Sequence, residues 1–331
     1  CYANVPYRLK NFEATLEDPK NTVDFDEALA EKIEHRVNEM GADGKLVLDS
    51  DGTVYQVTLL EKLLVPLLTK LGNLVIDGGI WMNTQRPEWN DANNALVGQG
   101  LSMVTLYYLR RYVRFLQELL ANDSRTIALS TEVSDWLAET ATALAATRPL
   151  IGPGPISADK RYDALVAVGQ ASSRYRERVY AQESFSGTVT RDVNTILALL
   201  EDAQAAIDHS IATNRRADGM YHAYNLLDAQ DSSVKCDTLY PMREGQVAAL
   251  SAGSIEPTEA VESIEALFAS DVYREDQNSF MLYPDRALPT FLEKNRVPEK
   301  SAAAIPLLIT MLEKGDERII CRDPDGHYRF N

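Results

Sequence analysis

Between Leu101 and Leu120 the chain reads LSMVTLYYLRRYVRFLQELL, a run in which apolar side chains cover much of a helical circumference. Arg110, Arg111, Arg114, Gln117 and Glu118 fall on the remaining strip, so the spacing predicts a mostly buried helix with one wetter side. The same recurrence at three and four residues predicts helices over 25–39, 56–71, 98–121, 130–146, 157–180, 187–213, 239–253, 257–269 and 299–314. Their ends carry readable signals: Pro257 and Thr258 open one, Gly72 follows another, and IGPGPIS around Pro153 and Pro155 breaks the chain between two more. A chain patterned in this way must bury helical stripes against one another, and the expected class is mainly α.

Two stretches depart from that period. GKLVLDSDGTVYQV alternates apolar and polar residues around Asp51-Gly52, and ERIICRDPDGHYRFN does the same around Asp325-Gly326, so short β-hairpins are expected at 45–57 and 317–330. No internal repeat marks a solenoid, and long polar loops join the helices, which favours a closed ring of helical hairpins with its loops lining a central pocket. The expected architecture is therefore an (α/α)6-toroid-like set of hairpins, complete or incomplete, forming one catalytic-type domain over 1–331. The chain opens on CYANVPYRLK without an initiator Met and closes on GHYRFN, which reads as a piece of a longer polypeptide.

Charge narrows the partners. Lys and Arg number 33 against 49 Asp and Glu, a formal charge of -16 that repels nucleic acid and anionic lipid, so neither is expected as a partner. Cys1, Cys236 and Cys321 are odd in number and far apart, which indicates neither a disulfide framework nor a zinc site and points to a reducing, cytoplasmic setting. No apolar run has the length of a membrane span.

The densest polar stretch is WMNTQRPEWNDANNALVGQG, Trp81 to Gly100. Asn90 or Asp91 can cap a helix, the bland reading, but capping explains one residue of the group. Trp81, Asn83, Gln85, Arg86, Glu88, Trp89, Asn90, Asp91, Asn93 and Asn94 put flat apolar faces beside hydrogen-bonding groups. Sugars ask for that mixture: C–H faces pack on indole, amides and carboxylates take paired hydroxyls, and an acid near the glycosidic oxygen can protonate the leaving group.

The segment PEWNDANNALVGQGLS, residues 87–102, resembles the D-W-N-D-G-M-N signature of the cellobiose and chitobiose phosphorylase family, inverting enzymes of the six-hairpin glycosidase superfamily. The resemblance implies an (α/α)6 toroid and attack by inorganic phosphate, a co-substrate, in place of activated water, with no cofactor. It implies Glu88 as the general acid, at the position of the signature's first Asp. Glu stands for that Asp, and Ala-Asn for Gly-Met.

Three further segments supply candidates. In DGMYHAYNLL, Tyr221 and His222 are candidates for a sugar hydroxyl or phosphate, with Tyr224 and Asn225 beside them; the commoner role for such a histidine is a backbone hydrogen bond in a loop. His35 and His209 read as ordinary helix-face residues. LYPMREGQVAALSAG offers Arg243, Glu244 and Gln246, and SDVYREDQNSFMLYPDR offers Arg274, Glu275, Asp276, Gln277, Asn278, Tyr283 and Arg286. Arg243 and Arg274 are candidate phosphate holders; Trp81, Arg86, Trp89, Asn90, Asp91, Asn94, Gln246, Asp276 and Gln277 join the substrate-binding set. If water replaces phosphate, a second carboxylate must activate it, and Glu244 and Glu275 are the candidates to partner Glu88. No His, Cys and carboxylate set has metal-ligand spacing, and GxSxG and phosphate-loop patterns are lacking.

The sequence thus favours phosphorolysis of a β-linked oligosaccharide. Inverting hydrolysis is the near rival. From a different class, a non-catalytic sugar-binding domain or an inactive fragment of a larger enzyme stays open, and a sugar epimerase is disfavoured by four scattered histidines.

Overall fold

The computed structural model describes residues 1–83 and 95–331. Its contacts divide the chain into two compact units, Cys1–Pro284 and Asp285–Asn331, where the sequence reading took a single domain.

In the first unit the expected helices form with ends shifted, among them Glu27–Met40, Leu59–Leu71, Met103–Leu120, Thr131–Ala145, Ala158–Gln182, Val193–Thr213, Arg243–Ser251 and Pro257–Phe268. In Met103–Leu120 the buried positions are Met103, Leu106, Tyr107, Leu109, Arg110, Val113, Leu116 and Leu120, one stripe of the 3.6-residue period. Val193–Thr213 answers it with Ile196, Leu199, Leu200, Ala203, Ala206, Ile207 and Ile211, and both stripes enter one core with Leu64, Leu67, Leu68, Val133 and Leu137. Each such Leu or Ile contributes about 1.5–3 kcal/mol of transfer free energy. Starts are capped locally: Ser102 accepts from the Thr105 N–H at 3.0 Å, and Asp192 from that of Asn194 at 2.8 Å.

One expectation on the first of these helices is reversed. Arg110, placed by periodicity on the wetter side, is 6% exposed. Its Nε donates to Asp208 at 2.9 Å and its Nη1 to the carbonyls of Ala252 and Gly253 at 2.9 Å each, so it closes the C-terminal end of Arg243–Ser251.

The mainly α toroid does not form. Helices share the first unit with an antiparallel five-stranded sheet in the order Leu74–Val75, Gly79–Trp81, Gly100–Ser102, Tyr224–Gln230 and Ser233–Thr238. Smaller antiparallel pairs join Tyr7–Leu9 to Val23–Phe25, Thr126–Ser130 to Thr188–Asp192, and Tyr273–Arg274 to Ser279–Phe280. The physical reason is shortness. Strands of two to seven residues are too brief to show a period of two, and two of them lay inside runs read as helices, at Gly100–Ser102 and Thr188–Asp192. The longest pair turns on Asp231 and Ser232, both left-handed at φ 50° and 58°, without the glycine that usually marks such a hairpin. At 45–57 the turn around Gly52 closes on a single bridge between Leu48 and Val54.

The second unit packs the short helices Phe291–Lys294, Glu299–Ala303 and Pro306–Glu313 with the Ile320–Arg322 and Tyr328–Phe330 hairpin around Ala302, Leu308, Ile320 and Tyr328. Pro306 splits the single helix expected over 299–314. Thr290 and Glu293 form a reciprocal capping box.

Candidate functional site

Arg86, Glu88, Trp89, Asn90, Asp91 and Asn94, with Gln85 and Asn93, lie outside the described residues. The residues that flank them are firmly placed. Asn83 is buried, donates from Nδ2 to Asn73 Oδ1 at 2.7 Å, and accepts the Thr22 hydroxyl on its carbonyl at 2.7 Å. On the other flank Leu96 is buried among Ala223, Tyr224 and Met242. That packing sets Leu96 beside two other candidate segments, around Tyr221 and around Glu244.

Those two segments are locked together. Gln246 takes the Tyr221 N–H on Oε1 at 2.8 Å and donates from Nε2 to the Tyr221 carbonyl at 2.7 Å and the Met242 carbonyl at 3.1 Å. Gly245 makes the approach possible, since a Cβ there would meet Ala223 at 2.8 to 3.0 Å. The third segment joins through Arg243, whose backbone N–H donates to the Leu282 carbonyl at 2.9 Å and whose Nη1 donates to that of Phe280 at 3.1 Å.

Within this arrangement the candidates differ. Tyr221 is buried, sets its ring edge-on to Tyr107, and donates its hydroxyl to Glu259 at 2.7 Å. Burial, then the Glu259 hydrogen bond, holds its phenol well above the ordinary range. His222 is 8% exposed, and burial first, then the Arg216 charge, pushes its pKa down to about 4. It is therefore neutral at pH 7, and among the described residues its buried Nδ1 has no hydrogen-bond partner. Asn225 donates to the Gly78 carbonyl at 2.8 Å and Asn214 Oδ1 at 2.7 Å, while its own Oδ1 has no partner. Glu244, in the first turn of its helix, is half-buried, and its Oε1 is buried without a partner among the described residues.

The remaining candidates lie elsewhere or are already engaged. Arg274 grips Asp276 through two hydrogen bonds of 2.8 Å, and this guanidinium holds the Asp276 carboxyl below its usual range. Glu275, Asp276 and Gln277 form an exposed 3-10 turn. Trp81, expected as a sugar-contacting face, is 3% exposed: Nε1 donates to the Gly98 carbonyl at 3.0 Å and the indole packs with Phe12, Val75, Leu101, Leu165 and Val234. Its aromatic area is spent on the core.

Sequence reasoning missed a buried polar cluster at Asp77, a left-handed residue at φ 65° in the run Ile76-Asp77-Gly78-Gly79. Asp77 accepts from Arg161 Nη2 at 2.7 Å, from the Ile156 N–H at 2.9 Å and from the Thr213 hydroxyl at 3.1 Å. Arg161 spends its other donors on the carbonyls of Ile76, Val234 and Ile156. His209, expected on a helix face, is buried with Nε2 2.9 Å from Asp77 Oδ1 but out of line for a hydrogen bond. The available signal was an Asp before paired glycines, which reads as a turn. Among the described residues Asp323, Asp325 and His327 bring ligand-type atoms within 4.8 Å of one another on an exposed turn, but Asp323 already holds Arg329 and the His327 N–H.

Residues 288–331, nearly the whole of the second unit, match the family described as GH149 phosphorylase insertion domain 2. This relates the chain to glycoside phosphorylases, without singling out the cellobiose and chitobiose enzymes. No curated protein matches the chain. Among the described residues no helix is long and apolar enough to cross a membrane.

Proposed function

We propose that the chain contributes to phosphorolysis of a β-linked oligosaccharide with inversion, Glu88 acting as the general acid. The observation that carries this reading is the match of residues 288–331 to a phosphorylase insertion domain, found apart from the signature-like run at 87–102. Two separate stretches of one chain thus point to the same reaction class.

In this reading Glu88 protonates the glycosidic oxygen as the bond to the anomeric carbon breaks, and inorganic phosphate attacks that carbon from the opposite face, giving a sugar 1-phosphate. The segments around Tyr221 and Glu244 support a binding role of their own. Glu244 has an acceptor with no partner among the described residues, suited to a sugar hydroxyl, and Arg243 is the better placed phosphate holder because Arg274 is committed to Asp276. His222, neutral at pH 7, suits a hydroxyl rather than a phosphate charge. Arg86, Trp89, Asn90, Asp91 and Asn94 are proposed as orienting groups.

The test is release of sugar 1-phosphate from β-linked disaccharides and longer oligomers, with and without inorganic phosphate. Product only in the presence of phosphate is the expected result. Free reducing sugar without phosphate would favour hydrolysis, and silence in both would favour a non-catalytic role.

A further inference from the structure

A pocket of about 170 Å³ lies where residues 2–8 cross the C-terminal half of the Ala158–Gln182 helix. Its walls are the rings of Tyr2, Tyr175, Tyr180 and Phe185. These rings are backed from behind: Tyr55 stacks on Phe185 with centroids 4.9 Å apart, and Trp136 stacks on Tyr175 at 4.2 Å. The Tyr2 hydroxyl donates to the buried Glu61 at 2.6 Å, and the Tyr180 hydroxyl accepts the Leu9 N–H at 3.3 Å. The walls are therefore fixed before any ligand arrives.

Two side chains lining this pocket each carry a buried donor without a partner among the described residues. Asn4 is 7% exposed and its Nδ2 is buried with no partner. Arg176 makes one hydrogen bond, from Nη2 to the Lys10 carbonyl at 3.4 Å, and its Nε is buried without a partner. It has no ion pair with any described carboxylate, and burial lowers its pKa. Of the charges acting on this half-buried guanidinium only that of Glu177 is a carboxylate's, which offsets part of the desolvation cost, and an anion beside the unspent nitrogen offsets more of it. The other charges at the pocket are compensated: Glu183 pairs with Lys32 at 2.6 Å, and Arg8 lies over the Tyr180 ring and 3.5 Å from Asp26.

We propose that this pocket binds a small carboxylate with a flat apolar body, its oxygens taken by Arg176 and Asn4 and its body held between the tyrosine and phenylalanine rings. The site is independent of the phosphorolysis reading and stands or falls without it.

Benzoate and its neutral counterpart benzamide, titrated calorimetrically into the protein, test the assignment. Saturable benzoate binding is expected, at least about tenfold tighter than benzamide, as a charge-assisted pair provides. Arg176→Met should remove that preference with little change in the thermal midpoint, because the single long hydrogen bond to Lys10 is lost together with the desolvation cost of the charge. Val179→Phe, on the helix wall of the pocket, should abolish binding of both probes. Equal affinity for the two probes, no binding of either, or benzoate binding that survives Arg176→Met or Val179→Phe would overturn the proposal.

Discussion

Two polar clusters meet the same sheet and are built on opposite terms. Around Asp77 both carboxylate oxygens and all three guanidinium nitrogens of Arg161 are spent on protein partners, and the one unspent atom beside them, His209 Nε2, lies 2.9 Å from the carboxylate. Around Tyr221 and Glu244 the backbone is clamped just as firmly by Gln246, yet His222 Nδ1, Asn225 Oδ1 and Glu244 Oε1 end without partners among the described residues. A buried ion pair whose hydrogen bonds are all made is a structural joint, tying Ile76 and Val234 of the sheet region to the Ala158–Gln182 helix. Unspent buried atoms on a clamped frame mark where a ligand can supply what the protein does not. The first cluster should thus answer mutation with lost stability and the second with lost binding.

Arg161→Met should give the largest stability effect. It strands the Asp77 carboxylate and three carbonyls, at a cost of about 3–5 kcal/mol. Urea unfolding measures it, and a loss under about 1 kcal/mol would erase the contrast between the clusters.

His222 should show itself through pH. Its pKa is about 4 in the folded chain against an ordinary 6.5, so the folded state prefers the neutral ring. Its contribution is fully present above 6.5 and declines as the pH falls from there towards 4, because the unfolded chain takes up the proton first. Thermal midpoints of the parent and His222→Gln over that window should converge as the pH falls. Parallel curves would show that the ring titrates normally.

Glu244→Gln should barely change stability, within about 0.5 kcal/mol, because no hydrogen bond to Oε1 is lost. The same substitution should raise KM for the oligosaccharide by about tenfold, the size of one charge-assisted hydrogen bond. Unfolding by more than about 2 kcal/mol with unchanged KM would move Glu244 into the structural class.

The helices were legible because burial of one stripe imposes a period on the sequence, as in Leu106 to Leu120 and Ile196 to Ile211. The sheet was not, since Gly79–Trp81 and Gly100–Ser102 are three residues each and the Asp231-Ser232 turn lacks a glycine signal. Misreading that sheet turned a mixed fold into an expected toroid. In the candidate site, residue chemistry was visible but orientation was not. Trp81 carries the same indole whether it packs in a core or faces a sugar, and only the Gly98 bond and the Phe12 and Leu101 neighbours decide. Gln246 reads as a substrate amide until both its ends are found on Tyr221. Arg110 reads as exposed by periodicity because a helical pattern does not reveal that Asp208 and two carbonyls await it. Unspent atoms such as Glu244 Oε1 leave no sequence signal, because they are defined by what fails to approach them.

The central claim is that Glu88 protonates the leaving group of a phosphorolysis. Its most direct test is the turnover of Glu88→Gln, measured as sugar 1-phosphate released in saturating phosphate, beside oligosaccharide affinity. Loss of an acid catalyst predicts a fall in kcat of about 10²–10⁴ with affinity nearly unchanged. A kcat equal to that of the parent would contradict the account.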